Sequence, residues 1–211
     1  MRVRLLHFTP LEVCAHAIRT CWQSFDKSDK GGKRDRELIE RVGNKYRHSS
    51  TLEHLVYTFY IQGISRALLQ ELARHRMASL SVKSTRYTLK ELKSEDEFST
   101  EDLERASKYI VLTHNEDVDK TSILALENLR KLLKKGISND IAKYALPECY
   151  KTELTWTING RSLQNFLSLR SSKSALWEIR KLSYMIYDNL PKDHQYLYSE
   201  FLESFEENSG E

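Results

Sequence analysis

The densest group of chemically capable residues is the run Arg74-His75-Arg76-Met77-Ala78-Ser79-Leu80-Ser81-Val82-Lys83-Ser84-Thr85-Arg86-Tyr87. Three arginines, one lysine, one histidine and four Ser/Thr hydroxyls fall within fourteen positions. A guanidinium presents a planar fork of donors that matches a phosphate, and hydroxyls with loop N–H groups complete such a cradle. A helix end running into a basic loop is thus a candidate anion site. The same Arg74-His75-Arg76 triplet also suits the negative end of a helix macrodipole. Charge alone leaves the anion site and a plain cationic cap equally open.

A second group runs from Asn159 to Arg170. Arg161 and Asn165 lie four apart and share a helix face, and Arg170 falls near that helix's end. The helix start at 159–161 offers N–H groups to an anion such as a pyrophosphate. His48, Glu53 and His54 lack the HExxH spacing, and no further ligand pair sits at helical spacing, so no metal is expected. Glu53 reads as the N3 member of a capping box, Ser50-Thr51-Leu52-Glu53. The three cysteines, Cys14, Cys21 and Cys149, form no CxxC, and their odd number argues against a disulfide framework or zinc ribbon. Cys14 and Cys21, seven apart, read as small buried hydrophobes on one helix face. Ser84 is a tempting nucleophile, but an alkoxide needs an activating base. None is evident, and Ser84 reads better as a ligand for phosphate or substrate.

The order of these residues resembles the flavin-dependent thymidylate synthase family. The family signature is Arg-His-Arg, seven intervening residues, then Ser; Arg74-His75-Arg76 and Ser84 occupy it, and Arg86-Tyr87 follow as they commonly do. The segment His48 to His54 resembles the family's flavin-side segment, and Asn159 to Arg170 its second block. The similarity runs from about residue 10 to residue 180. Departures occur at Ser81 and Val82, where many members have Asn and Glu, at Glu71, where Gln is usual, and at Lys143, where Arg is frequent. Lys143 keeps the charge without the bidentate fork, and Val82 cannot accept a hydrogen bond.

The resemblance implies reductive methylation of dUMP to dTMP. The methylene would come from 5,10-methylenetetrahydrofolate and the hydride from FAD reduced by NADPH, since side chains supply no hydride. It implies that Glu71, Arg74, Val82, Lys83, Ser84, Thr85, Arg86, Lys143 and Arg170 hold dUMP. It implies that His48, Ser50, Arg74, His75, Arg76, Val82, Asn159, Arg161 and Asn165 hold FAD. Arg170 is implied as the catalytic group, its guanidinium favouring the negative charge that makes the pyrimidine C5 nucleophilic. A homotetramer with sites built from several subunits is implied as well.

Several elements must position these residues. A strand is expected at 3–7. Thr9-Pro10-Leu11-Glu12 reads as a capping box opening a helix through about Trp22. Phe25 to Arg36, with Gly31-Gly32, reads as a mobile surface loop, followed by a helix near 35–46. One helical turn at Ser50 feeds a strand through Leu55, Tyr57, Phe59 and Ile61. Ser65 caps a helix carrying Leu68, Leu69 and Leu72 inward and ending near 74–76, and residues 79–89 are extended or looped. Helices follow near 100–113, at 117–135 with Gly136 as C-cap, and at 139–145. A strand at 152–158 leads into an Asn159-capped helix, and helices at about 174–189 and 193–206 close the chain.

The expected class is α+β: a single mixed domain over residues 1–211, helix-rich with a small, mostly antiparallel sheet, assembled as an oligomer. Residues 205–211 read as a disordered tail. The 33 basic and 30 acidic residues leave a net charge of only +3, which weakens a nucleic-acid role. No apolar run approaches membrane-spanning length and no signal peptide is evident, so a soluble cytoplasmic protein is expected. The rival reading is a single-stranded nucleic-acid-binding protein using the basic 74–86 loop and eleven tyrosines for stacking. No RNP or KH signature supports it. A third reading is an oligomerisation module packed through Leu124, Leu126, Leu129, Leu132 and Leu133.

Overall fold

The computed structural model describes residues 1–203, without the side chains of Tyr87 and Thr88; the expected tail at 205–211 lies outside the described residues. Four strands, β1 (Arg2–Phe8), β2 (Val56–Ser65), β3 (Ala78–Val82) and β4 (Lys151–Asn159), form one antiparallel sheet in the order β1-β2-β4-β3. The register of β2 on β4 sets Thr58 opposite Thr157, with their Oγ1 atoms 3.0 Å apart. It also sets Gln62 opposite Glu153, whose carboxylate accepts from Gln62 Nε2 at 3.0 Å. Along β4 every second residue is buried, from Thr152 through Leu154 and Trp156 to Ile158. This is the period of two that the TELTWTI stretch carries.

Ten α-helical segments accompany the sheet among the described residues. They are α1 (Leu11–Thr20), α2 (Lys33–Ile39), α3 (Arg66–Ala73), α4 (Thr85–Thr88), α5 (Lys90–Lys93), α6 (Leu103–Ala106), α7 (Glu116–Lys134), α8 (Asn139–Ala142), α9 (Gly160–Arg170) and α10 (Trp177–Asp188). The helix-rich α+β class expected from sequence is the observed one. The chain divides into two compact units. The first comprises Met1, Gln62–Leu72 and Ser81–Leu154; the second comprises Arg2–Ile61, Ala73–Leu80 and the chain from Thr155.

The first unit is organised on α7. Ile123, Leu126, Leu129 and Leu133 recur at helical spacing and are buried among Leu89, Leu92, Phe98 and Ile110. Leu124 faces solvent. Gly136 ends the helix at φ +83°, where N–H groups of Gly136 and Ile137 reach the Leu133 and Leu132 carbonyls at 3.1 and 3.2 Å. A positive φ at this point favours glycine. Ser65 Oγ caps α3 as expected, accepting from Leu68 N at 2.9 Å. The helix expected near 100–113 shrinks to α6. Beyond it Ile110 pairs with Tyr150 in an antiparallel bridge, so cross-chain pairing overrides local helix propensity.

Within this core Arg130 grips Glu127 through two hydrogen bonds of 2.6 and 2.7 Å, and Phe98 N–H adds a third at 3.1 Å. The Arg130 guanidinium, foremost, and the Phe98 N–H outweigh burial and hold the Glu127 carboxyl down at about 2 from an ordinary value near 4.5. A depressed carboxylate stabilises the fold above its unfolded pKa and loses that contribution as pH falls towards its folded one. Stability is therefore expected to fall between about pH 5 and pH 2. Glu127→Gln should flatten that slope and cost about 3 kcal/mol at neutral pH by leaving Arg130 unpaired. Denaturant melts across that pH range check both; an unchanged slope in the variant would remove the pair from the acid sensitivity.

In the second unit α1 ends at Thr20 and Pro10, not Thr9, holds the N-cap position. Thr9 Oγ1 instead accepts from Val56 N at 3.1 Å, tying the end of β1 to the start of β2. The stretch 25–36 is not the loose surface loop expected. Asp35 is fully buried, 2.6 Å from Arg19 Nη2, and also accepts from Ser28 Oγ and Gly31 N. Burial alone would raise its pKa; the Gly31 N–H, Arg19 and Ser28 outweigh it and hold the carboxyl below its ordinary value. Asp29 accepts from the N–H groups of Arg34 and Asp35 at the start of α2. After Ile39 the chain continues as a π-helical turn, Glu40–Lys45. Over 193–203 the expected helix at 193–206 is replaced by two single turns, Gln195–Leu197 and Ser199–Phe201, and residues 204–206 lie outside the described residues. Cys14 is buried, its thiol pushed up to about 12 by that burial, as befits a packing residue. Cys21 lies past the end of α1 and is exposed, so the two do not share a buried face.

Candidate active site

A cleft of about 600 Å³ lies in the second unit, where the segment after α3 meets α9. Arg74, His75, Arg76 and Met77 line one side. Asn159, Arg161, Ser162, Asn165, Leu169 and Arg170 line the other, and Glu53 completes it. Two segments about 85 residues apart in sequence, each singled out for its own anion chemistry, share one cavity. The lining holds four guanidiniums against one carboxylate, so the cleft favours an anion.

The backbone sorts these residues. Arg74 and Arg76 are exposed, whereas His75 between them is buried, its ring edge-on to Phe166 at 5.1 Å. His75 Nε2 accepts from Arg170 Nε at 3.0 Å. That bond requires Nε2 to be unprotonated, and it orients the guanidinium plane. On α9, residues 161, 165 and 169 recur every four positions and face the cleft together. Arg161 Nη1 meets Glu53 Oε1 at 2.8 Å. Glu53 belongs to a 3₁₀ turn, Ser49–His54, that has no side-chain cap, so the capping-box reading of this residue gives way to its pairing with Arg161.

The start of α9 is built tightly. Asn159 Oδ1 caps it by accepting from Ser162 N at 2.8 Å, as expected for the cap. Gly160 N donates to the Leu55 carbonyl at 2.7 Å. The N–H groups of Gly160 and Ser162 are thus used inside the chain rather than offered to a ligand. A Cβ at Gly160 would lie 2.7 Å from both the Leu52 carbonyl oxygen and the Tyr198 hydroxyl. Tyr198 OH donates to Tyr57 OH at 2.9 Å, and Tyr57 OH lies 2.8 Å from His194 Nδ1. Burial holds His194 below its ordinary pKa and so favours the neutral, accepting ring. Gln164 on the buried side of α9 donates to the Leu197 carbonyl and to Asn44 Oδ1, each at 2.9 Å. The back of the helix is fixed while its front faces the cleft.

Other residues singled out from sequence lie elsewhere. His48 and Ser50 are exposed on or beside the turn that carries Glu53 and do not line the cleft. Glu71, Val82, Lys83, Ser84, Thr85, Arg86 and Lys143 belong to the first unit, whereas Arg74 and Arg170 belong to the second. Val82 is the last residue of β3, and Ser84 has extended backbone just before α4. Arg86 holds Asp140 with hydrogen bonds of 2.7 and 3.3 Å, and its carbonyl accepts from Asn139 Nδ2 at 2.7 Å. Lys143 follows directly on α8, one turn beyond Asn139 and Asp140. Among the described residues no group of three or more His, Cys, Asp or Glu is placed to hold a metal ion, and no helix is long and apolar enough to cross a membrane.

The sequence model of the family described as "Thymidylate synthase complementing protein" matches residues 4–194. The chain belongs to the flavin-dependent thymidylate synthase family. The flavin-dependent thymidylate synthase of Wolinella succinogenes is 71% identical over 198 residues, covering 94% of this chain and 97% of the relative. That of Helicobacter pylori is 58% identical over 206 residues, covering 96% and 99%. The crystal structure of the Helicobacter pylori enzyme complexed with FAD and dUMP superposes with a TM-score of 0.93 at 58% identity, covering 96% of this chain and all of that one. Within the family, sequence reasoning passed over four cleft residues: Glu53, Met77, Ser162 and Leu169. Leu169 was legible in the four-residue spacing from Arg161 and Asn165. Glu53 was not, because its partner Arg161 is 108 residues away.

Proposed function

We propose that this chain catalyses the reductive methylation of dUMP to dTMP, with the methylene from 5,10-methylenetetrahydrofolate and reducing equivalents from NADPH delivered through FAD. The observation that supports this most directly is the convergence of Arg74, Arg76, Arg161 and Arg170 on one cleft with the single carboxylate of Glu53. The cleft's size and charge fit an elongated phosphate-bearing ligand. Arg74, His75, Arg76, Asn159, Arg161 and Asn165 would hold FAD, joined by His48, Ser50 and Val82. Bound FAD would supply the hydride that no side chain can.

In this reading Glu71, Arg74, Val82, Lys83, Ser84, Thr85, Arg86, Lys143 and Arg170 hold dUMP. Ser84 serves as a ligand, since no base stands at hand to ionise it. Arg170 is the catalytic group. Its guanidinium, oriented by His75, stabilises the negative charge that builds on the pyrimidine as C5 becomes nucleophilic. Four copies assemble in the cytoplasm and complete one another's sites.

The purified protein is expected to be yellow, to oxidise NADPH and to convert dUMP to dTMP when methylenetetrahydrofolate is added. Chromatography of the products and the flavin absorption band measure this. A colourless protein that makes no dTMP and retains RNA would overturn the reading in favour of nucleic-acid binding. Light scattering should give four times the 24.8 kDa chain mass. Arg161→Ala should weaken FAD binding by at least tenfold, since a charge-assisted hydrogen bond to a phosphate contributes about 1.5–3 kcal/mol. Fluorescence titration of the apoprotein tests it, and an unchanged affinity would detach Arg161 from the flavin.

A further inference from the structure

A single hydrogen bond to an imidazole does not by itself fix the plane of the Arg170 guanidinium. The direction of that bond follows the imidazole plane, because the Nε2 lone pair points outward within it. The torsion that turns a histidine ring is broad, so a neighbour must set it. We infer that this neighbour is Phe166, a positioning residue that, backed by Trp156, sets the Arg170 guanidinium through His75. The inference rests on the proposed function, since it deepens the role given there to Arg170.

Phe166 and Arg170 are four apart on α9, so they stand one turn from each other on the same face. The His75 ring meets both. Its centroid lies 5.1 Å from that of Phe166 with the planes at 75°, and its Nε2 lies 3.0 Å from Arg170 Nε. An edge-to-face pair is an arrangement that ring quadrupoles favour. Phe166 is itself held. It is fully buried, and Trp156 on β4 packs against it at 4.9 Å and 63°. Phe59 on β2, also buried, lies behind Trp156 at 6.2 Å. A column of rings thus runs from the sheet to the imidazole that holds Arg170. Trp156 adds a second sign. Its Nε1 is buried and has no hydrogen-bond partner among the described residues. Buried N–H groups are nearly always bonded, and an unmet one costs free energy. A phenylalanine would avoid that cost; what the indole adds against it is ring surface behind Phe166. Neither Phe166 nor Trp156 lines the cleft, so an effect of either on the reaction must pass through a residue that does.

A double-mutant cycle on the FAD-loaded holoenzyme tests this. Phe166→Leu keeps an apolar side chain and removes the flat ring. It should lower kcat roughly tenfold, as a small misplacement of a reacting group does. The KM for dUMP should change far less, because the charge that Arg170 answers grows only towards the transition state, and the flavin absorption band should persist. In a His75→Phe background the same substitution should change kcat by less than about twofold, since the path it acts through is already gone. A merely structural role would lower kcat by the same factor in both backgrounds, and that result, or an unchanged kcat in Phe166→Leu alone, overturns the inference. Should Phe166→Leu not fold, Trp156→Phe takes its place in the cycle; it removes the orphan N–H, shrinks the ring behind Phe166, and should show a smaller effect with the same dependence on His75. The crystal structure of whichever variant folds supplies a readout apart from activity. Arg170 Nε should have left hydrogen-bond reach of His75 Nε2, and a guanidinium still in place overturns the inference. If the parent makes no dTMP, the proposed activity fails on its own, and that crystal structure alone decides whether the ring column positions Arg170.

Discussion

Arg170→Ala is expected to lower dTMP formation by roughly a hundredfold or more while FAD stays bound. The reasoning starts from the ring. Uracil C5 attacks an electrophile only as negative charge accumulates across the pyrimidine, and a fixed cation in a desolvated cleft stabilises that charge without reorganising. Arg170 is half-buried at the end of α9, and its Nε bond to His75 holds its plane. Alanine removes the charge and leaves the Asn159 cap and Arg161, at the other end of the helix, in place. Single-turnover product formation and the flavin absorption band, measured together, separate chemistry from cofactor loss. His75 should behave as a positioning residue. His75→Gln retains a hydrogen-bond acceptor and should keep more activity than His75→Phe, which retains only the ring. Near-parental turnover in Arg170→Ala would take this guanidinium out of the reaction.

Gly160→Ala should cost about 3 kcal/mol of stability, the upper end for overpacking a closed site. The added methyl would meet two oxygens at 2.7 Å, the Leu52 carbonyl and the Tyr198 hydroxyl. A backbone carbonyl cannot swing aside as a side-chain tip can, so β2 and the start of α9 must separate or the turn at Leu52 must shift. Either movement stretches the Gly160 N to Leu55 carbonyl bond and displaces Asn159 and Arg161 from the cleft. Weaker flavin binding should accompany the lost stability. Adding Tyr198→Phe removes one of the two oxygens and should restore only part of the loss, because the Leu52 contact remains. Urea melts of the parent, the single variants and the double variant read this out; an alanine variant as stable as the parent would show that the closeness at Gly160 carries no energetic weight.

Much of this was legible in the chain because the deciding interactions are local. The β4 strand follows from the strand propensity of TELTWTI, the α9 cap from Asn159 at the helix start, and the end of α7 from Gly136 just past its last turn. The two halves of the cleft were each visible for the same reason, since Arg74-His75-Arg76 and Arg161 with Asn165 carry their chemistry in their spacing. Long-range pairing was not legible. In sequence Asp35 is one more acid in a polar loop, whereas in the fold it is buried against Arg19 and also holds Ser28 and Gly31. The helix expected near 100–113 yielded to a bridge between Ile110 and Tyr150, and within 193–203 the expected helix gave way to two single turns that set Leu197 and Tyr198 at the back of α9. Glu53 showed the same failure at the site itself.

The pairing of Glu53 with Arg161 alters what an arriving ligand gains. Both side chains are about half exposed, so the ion pair contributes little to holding the fold together. Its effect is to keep a long, floppy guanidinium stretched towards one place before any phosphate comes. A newcomer therefore trades places with a resident anion instead of meeting a bare cation. It forgoes part of the Coulomb reward, yet it also avoids part of the entropy loss that ordering an arginine would otherwise demand. In the proposed reading, where Arg161 holds the flavin, recognition at this position would be an exchange between oxygens, favouring a partner with more than one oxygen to give and less sensitive to salt than four converging arginines alone would be.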